Sequence, residues 1–248
     1  MYRIIPCLLL KDKGLVKTYK FNKTRYIGDP VNTVKIFNEK EVDELIFLDI
    51  RATINGRKPD IDLIYDIAGE SFMPICYGGG ITSIEEIKEI FFAGVEKTAL
   101  NTAAFEKPKL VEKAAALFGS QSIVVSIDVK KKWLGKYEVC LHGGTKGTGL
   151  DPVKYAVQMQ ELGAGELLIN SIDRDGTMQG YDLDLLSRIS SAVEIPVVAL
   201  GGAGRYEDFS DAIKKGGVSA VAAGSMFVYY GKNRAVLINY PTRDKKYD

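Results

Sequence analysis

Histidine is nearly absent from this chain. A single residue, His142, cannot supply the imidazoles of a zinc or multi-histidine centre. Cysteine is also scarce: Cys7, Cys76 and Cys140 are odd in number and stand at no metal-ligand spacing. They form neither a disulfide framework nor a cluster site, and Cys7 and Cys76 sit inside apolar runs, where a free thiol behaves as a small hydrophobe. No apolar run approaches the length needed to cross a bilayer, and the first residues lack the cationic and apolar regions of a secretion signal. An excess of one charge is missing too. Thirty-three Lys and Arg against 32 Asp and Glu leave +1, so no global field favours nucleic acid or an anionic membrane. The run Lys130-Lys131-Lys132 reads as a solvated loop. These absences predict a soluble, cytoplasmic protein without metal, cofactor, nucleic-acid partner or membrane insertion.

What is present is a repeated phrase. Ile195-Pro-Val-Val-Ala-Leu-Gly201-Gly202 is a short apolar run that ends in two glycines. Met73-Pro-Ile-Cys-Tyr-Gly-Gly79-Gly80 repeats that proline, apolar step and glycine pair 122 residues earlier. A buried parallel strand opening into a glycine turn has this form, and a self-match at so long a period indicates duplication.

Strand-like runs alternate with helical ones along the chain, the pattern of parallel βα units. Strands are predicted at Arg3–Leu9, Glu44–Asp49, Pro74–Tyr77, Lys97–Leu100, Ile123–Asp128, Glu166–Asn170, Pro196–Leu200 and Val218–Ala222. Helices are predicted at Val31–Lys40, Asp60–Glu70, Ser83–Phe92, Lys109–Phe118, Pro152–Leu162, Leu183–Val193 and Tyr206–Lys215. Asp60, Asp151 and Asp182 serve as N-caps, and Gly94 and Gly163 as stops. Eight strands in 248 residues predict one (β/α)8 TIM barrel, an α/β fold of the phosphate-binding type. Its duplicated half-barrels are about 1–120 and 121–235, and residues 239–248 form a polar, frayed end.

A doubled half-barrel predicts two facing anion sites at the barrel mouth. Glycines let backbone amides approach a phosphate, and small polar residues at strand ends complete the cradle. Gly79, Gly80, Asn101 and Thr102 form one candidate site; Asp175, Gly176, Gly201, Gly202, Gly224 and Ser225 form the other. The ligand would be phosphate or a phosphorylated small molecule at the top face. At the other end, Arg3, Glu44, Lys97 and Glu166 each begin a strand. Their side chains can converge at the barrel floor and neutralise one another.

Ile4-Ile-Pro-Cys-Leu8, Phe47-Leu-Asp-Ile50, Gly78-Gly-Gly-Ile81, Asn101-Thr-Ala-Ala104, Ser171-Ile-Asp-Arg-Asp-Gly-Thr177 and Gly201-Gly-Ala-Gly204 closely resemble the HisF family, the cyclase subunits of imidazole glycerol phosphate synthase. The matches run from Arg3 to about Phe227. The resemblance implies a barrel that receives ammonia from a HisH-like glutaminase docked at its bottom. It makes Arg3, Glu44, Lys97 and Glu166 the ammonia gate. It also implies two catalytic aspartates that trade protons during ring closure, at the ends of strands one and five. Asp128 is the fifth-strand member, but Leu9 stands where the first belongs, and leucine carries no proton. Asp12 does not take its place, since the family has its own aspartate there. Lys17 matches the family lysine that reaches over the substrate, and Asp49 the second-strand carboxylate. Loop five, Leu141–Gly149, is glycine-rich and carries His142, which reads as an incidental loop residue.

An intact gate under a broken catalytic pair is the pattern of a divergent HisF-like branch. In that branch ammonia passes to an ATP-dependent amidotransferase, which forms acetamidino groups on N-acetyl sugars of surface polysaccharide. Two alternatives stand beside it: an ordinary histidine-biosynthesis cyclase with residual or rearranged proton transfer, and a sugar-phosphate isomerase of the sister barrel family. Leu9 counts against both, and whether the chain is an enzyme by itself is left open.

Overall fold

The computed structural model describes residues 2–133 and 135–241. Eight parallel strands close on themselves: β1 (Arg3–Lys11), β2 (Leu45–Asp49), β3 (Ile75–Gly78), β4 (Lys97–Leu100), β5 (Ile123–Lys131), β6 (Glu166–Ser171), β7 (Val197–Leu200) and β8 (Ala220–Ala223). Each pairs in parallel with the next, and β8 returns to β1 with Ala220 opposite Arg3. Outside run the helices α1 (Pro30–Glu39), α2 (Ile61–Glu70), α3 (Ile84–Phe92), α4 (Pro108–Phe118), α5 (Pro152–Glu161), α6 (Leu183–Ser190) and α7 (Tyr206–Lys214). The fold is thus the predicted (β/α)8 barrel, with element ends shifted by a few residues at most.

Alternation along β1 explains its unbroken apolar sequence. Ile5, Cys7 and Leu9 point into the barrel and join Ile46, Cys76, Val124, Leu168 and Val198 in an inner core. Ile4, Leu8 and Leu10 point outward into the larger core under the helices. A strand buried on both faces has no polar side to show. The caps hold as expected: Asp60, Asp151 and Asp182 accept amides of the first turns of α2, α5 and α6.

The 122-residue echo extends to backbone geometry. β2 pairs β3 with Leu45 opposite Ile75 and Leu48 opposite Gly78, and β6 pairs β7 with Leu167 opposite Val197 and Asn170 opposite Leu200. The glycines repeat as well. Gly79 and Gly201 both take positive φ, and a Cβ on either would collide with the carbonyl at the end of the preceding strand, Asp49 or Ser171. Gly80 packs against the backbone of Arg57 and Lys58, and Gly202 against that of Gly180. At these four places glycine is required by close backbone approach.

Three features depart from expectation. The long loop after β1 is a hairpin, Gly14–Tyr19 paired with Asn22–Gly28, whose first strand continues the sheet from β1 with Val16 opposite Leu9. β5 runs on to Lys131 and folds back as Tyr137–Leu141. The third concerns the end of the described chain. After the short helix Ser225–Val228 comes a small hairpin, Tyr229–Tyr230 with Ala235–Val236, and then buried Tyr240, whose hydroxyl donates to the Ile4 carbonyl at 2.7 Å. The expectation of a frayed end is wrong for Tyr240, because its ring packs 5.4 Å from Phe227. The rest of that expectation, residues 242–248, lies outside the described residues.

Candidate functional site

The strand starts bring four charges together at the floor. Arg3 pairs with Glu44 and Glu166, and Lys97 reaches both carboxylates, at 3.0 Å each. Glu44 and Glu166 are buried, while the side chains of Lys97 and Arg3 are 19% and 34% exposed. Burial by itself lowers the pKa of both cations, yet the two carboxylates outweigh it and raise both. The ring is electrically neutral and its charges are mutually satisfied, the condition under which ions persist in a partly desolvated place. Above it stands the inner core, an apolar layer of Ile5, Ile46, Cys76, Val124 and Leu168 in which an unpaired ion would be costly.

At the strand ends the barrel opens into a cavity of about 450 Å³. All the mouth residues singled out from the sequence line it: Leu9, Lys17, Asp49, Asp128 and every glycine and small polar residue of the two candidate anion sites. The two sets lie across from each other, one after β3 and β4 and the other after β6, β7 and β8. Some of their groups are already engaged. The Gly80 amide donates to Thr53 Oγ1 at 3.2 Å, and Thr102 Oγ1 accepts the His142 amide at 3.1 Å. Asp49 turns its carboxylate onto the Arg51 and Ala52 amides, both at 2.9 Å, and so shapes loop two.

Asp128 sits at the centre of the mouth, on the inward face of β5. Burial pushes its carboxyl up to about 7, the charge of Asp175 adds to the rise, and a hydrogen bond from Asn170 opposes it. Asn101 Nδ2 also reaches it at 3.3 Å. A carboxyl at this value exchanges its proton near neutrality, as a general acid or base must. Leu9 also lines the cavity but carries no ionisable group. Asp12 occupies the turn before Gly14 in a left-handed conformation and does not line the cavity.

The hairpin Gly14–Gly28 lies over this mouth as a lid. It inserts Lys17, which is buried; its ammonium donates to the Cys7 carbonyl at 3.2 Å and lies against Gly224, where any Cβ would overlap it. Burial lowers the pKa of Lys17. Asp175 holds the lid down. Its carboxylate accepts from Thr18 Oγ1 at 2.6 Å and from the Phe21 amide at 3.2 Å, while its carbonyl takes the Lys20 amide at 3.0 Å. Those contacts brace a two-residue turn, Lys20-Phe21, in which both residues adopt positive φ without being glycine. Asp175 therefore faces the lid as well as the cavity, and it is a second carboxylate in the field of Asp128. His142 lies on the rim, with its ring nitrogen 3.3 Å from Glu106.

Two participants were not singled out from the sequence. Thr18 beside Lys17 had no motif to mark it. Asn170 is the penultimate residue of β6, in a run that reads as strand core, and only its offset of two from inward-facing Leu168 could have placed it in the mouth.

Residues 3–234 match the family model described as "Histidine biosynthesis protein". A Pseudomonas aeruginosa protein named "Putative imidazole glycerol phosphate synthase subunit hisF2" is 52% identical over 243 residues, covering 98% of this chain and 97% of the relative. A Leptospira interrogans protein named "Putative imidazole glycerol phosphate synthase subunit HisF" is 51% identical over 245 residues, covering 98% and 96%. A third relative, from Vibrio vulnificus and named "Putative imidazole glycerol phosphate synthase subunit hisF3", is 49% identical over 245 residues, covering 98% and 94%.

Proposed function

This chain belongs to the histidine biosynthesis protein family, and on that premise we propose that it is the ammonia-receiving barrel of a glutamine amidotransferase system. A HisH-like glutaminase docks beneath the ring of Arg3, Glu44, Lys97 and Glu166. Ammonia released there enters as the neutral molecule, since an ammonium ion would have to shed its water in an apolar interior that offers no counter-charge beyond the already paired ring. It emerges beside Asp128. The cavity above binds a phosphate-bearing small molecule through the facing loops around Gly79, Gly80, Asn101 and Thr102 and around Gly176, Gly201, Gly202, Gly224 and Ser225. Lys17 is poised as its counter-charge.

The observation that carries the reading is Leu9 in the mouth above an intact neutral ring. Ring closure by paired proton carriers needs a group where Leu9 stands. Losing one partner of such a pair forfeits roughly a hundred- to ten-thousand-fold in rate. The ammonia is therefore passed on, to an ATP-dependent amidotransferase that replaces the carbonyl oxygen of an N-acetyl sugar by nitrogen and forms an acetamidino group for surface polysaccharide. Incubating the purified chain with the ribulosyl bisphosphate substrate of the cyclase and excess ammonium salt tests this. Imidazole formation at a rate typical of enzymes would overturn it.

A second reading, the histidine-biosynthesis cyclase, is favoured by one observation: Asp175 lies close enough to raise Asp128, so the mouth still holds two interacting carboxyls. Its bonds to Thr18 and Phe21 tie Asp175 to the lid. In this reading, lid opening frees it for proton transfer, and the same assay returns product.

A further inference from the structure

Four cations line the mouth: Lys11, Lys17, Lys23 and Arg51. Lys17 lies against Gly224, in the cradle after β8. The other three gather on the β1–β2 side and come from three elements. Lys11 ends β1, two residues beyond inward-facing Leu9. Arg51 follows β2, which is joined to β1 at this level by the Ile50 amide on the Leu10 carbonyl at 3.1 Å. Lys23 belongs to the outer strand of the lid, and the Lys11 ammonium reaches that strand through Thr24 Oγ1 at 3.1 Å. Among the described residues these three form no ion pair, and the Lys23 ammonium and Arg51 guanidinium make no hydrogen bond. The acids of the cavity are committed elsewhere. Asp49 accepts two amides of loop two and faces Arg57 at 3.5 Å, Asp175 accepts from Thr18 and Phe21, and Asp128 is buried beside Asn101. Three like charges on one wall repel one another, and an anion seated among them turns that repulsion into attraction. Arg51 adds a planar fork that matches phosphate oxygens two at a time.

We propose that Lys11, Lys23 and Arg51 form a third anion site at the rim of the mouth, which takes the diphosphate group of a ligand whose remainder lies in the cavity. A phosphate monoester carries only about −1.5 to −2, and three cations match the larger charge of a terminal diphosphate. Lys23 rides on the lid while Lys11 and Arg51 stand on the barrel, so the bound group also ties one to the other. This rests on the reading of the mouth as a phosphate-binding cavity and adds the class of ligand that it receives.

The test uses the whole chain, labelled with nitrogen-15, at about pH 6.5, with inorganic pyrophosphate as the probe and orthophosphate beside it. The Arg51 Nε signal is identified by its loss in Arg51→Gln, and the backbone amides of Gly202 and Gly224 report on the cradle across the mouth. We expect pyrophosphate to shift Arg51 Nε saturably, with an apparent affinity about fivefold or more above that of orthophosphate at the same signal. Lys23→Gln should weaken that binding by about fivefold or more. Lys20→Gln removes the same charge from the lid at a residue that does not line the cavity, and should weaken it by less than about twofold. An Arg51 signal that does not move, no preference for pyrophosphate, or equal losses in the two lysine variants would overturn the rim site. If Arg51 Nε stays still while Gly202 and Gly224 shift, the rim site falls and phosphate binding in the cradle stands. If none of the three moves, the phosphate-binding reading of the mouth falls with it.

Discussion

At the scale of single residues, the proposed function turns on Leu9 and Asp128. Restoring a carboxyl by Leu9→Asp should raise cyclase turnover from near nothing by about a hundredfold or more, measured with the ribulosyl substrate and ammonium salt; a gain below threefold would mean that the mouth is already competent. Asp128 also makes a stability prediction. Its folded value of about 7 lies above the usual 3.8 because burial disfavours the charge. A raised value stabilises the fold fully below about pH 4, and the stabilisation is lost as pH climbs through 7. Asp128→Asn removes that dependence. The stability of the variant relative to the wild type should therefore improve by roughly 2–4 kcal/mol from pH 4 to pH 8, read from urea unfolding at the two ends. Leu9 and Asp128 could be placed from the sequence only through the family resemblance, which sets a carboxylate at the ends of strands one and five. The raised carboxyl could not, since it depends on burial and on Asp175, 47 residues away.

At the scale of elements, the lid is the part the sequence hid. Its turns, Asp12-Lys13 and Lys20-Phe21, lack the Asn-Gly or Asp-Gly pairs that announce a two-residue hairpin. Helices were legible because their caps are local: Asp60, Asp151 and Asp182 each bond amides two or three residues ahead. The lid turn instead depends on Asp175, which is brought to it by the barrel. Replacing that carboxylate by Asp175→Ala should free the hairpin. We expect trypsin to cut after Lys20 or Lys23 at least fivefold faster than in the wild type, with the barrel itself still resistant. Thr18→Val, which removes one of the two lid bonds to the carboxylate, should fall between them. Unchanged cleavage in both variants would show that the lid is held by other contacts.

At the scale of the whole molecule, the floor ring joins strands β1, β2, β4 and β6 through four charges. Lys97→Met leaves Glu44 and Glu166 with Arg3 alone and should destabilise the barrel by roughly 1–3 kcal/mol, discounted because Lys97 and Arg3 are partly exposed. With a HisH-like glutaminase bound, the same variant should release more glutamine-derived ammonia to bulk solvent than the wild type, measured by trapping. An unchanged ratio would detach the ring from ammonia passage. By itself the sequence determined the eight strands, the helix caps, the glycine turns and the four charges at strand starts, while the family resemblance marked the leucine in the mouth. These are written in short periods and neighbouring residues, and the 122-residue echo ties the halves together. Only the tertiary structure decided that Lys17 is buried beside Gly224, that Asp175 clamps the lid and that Asp128 keeps its proton to about 7. Each of these depends on which distant groups the closed barrel brings within reach and on how much water it excludes, and no local stretch of chain encodes either.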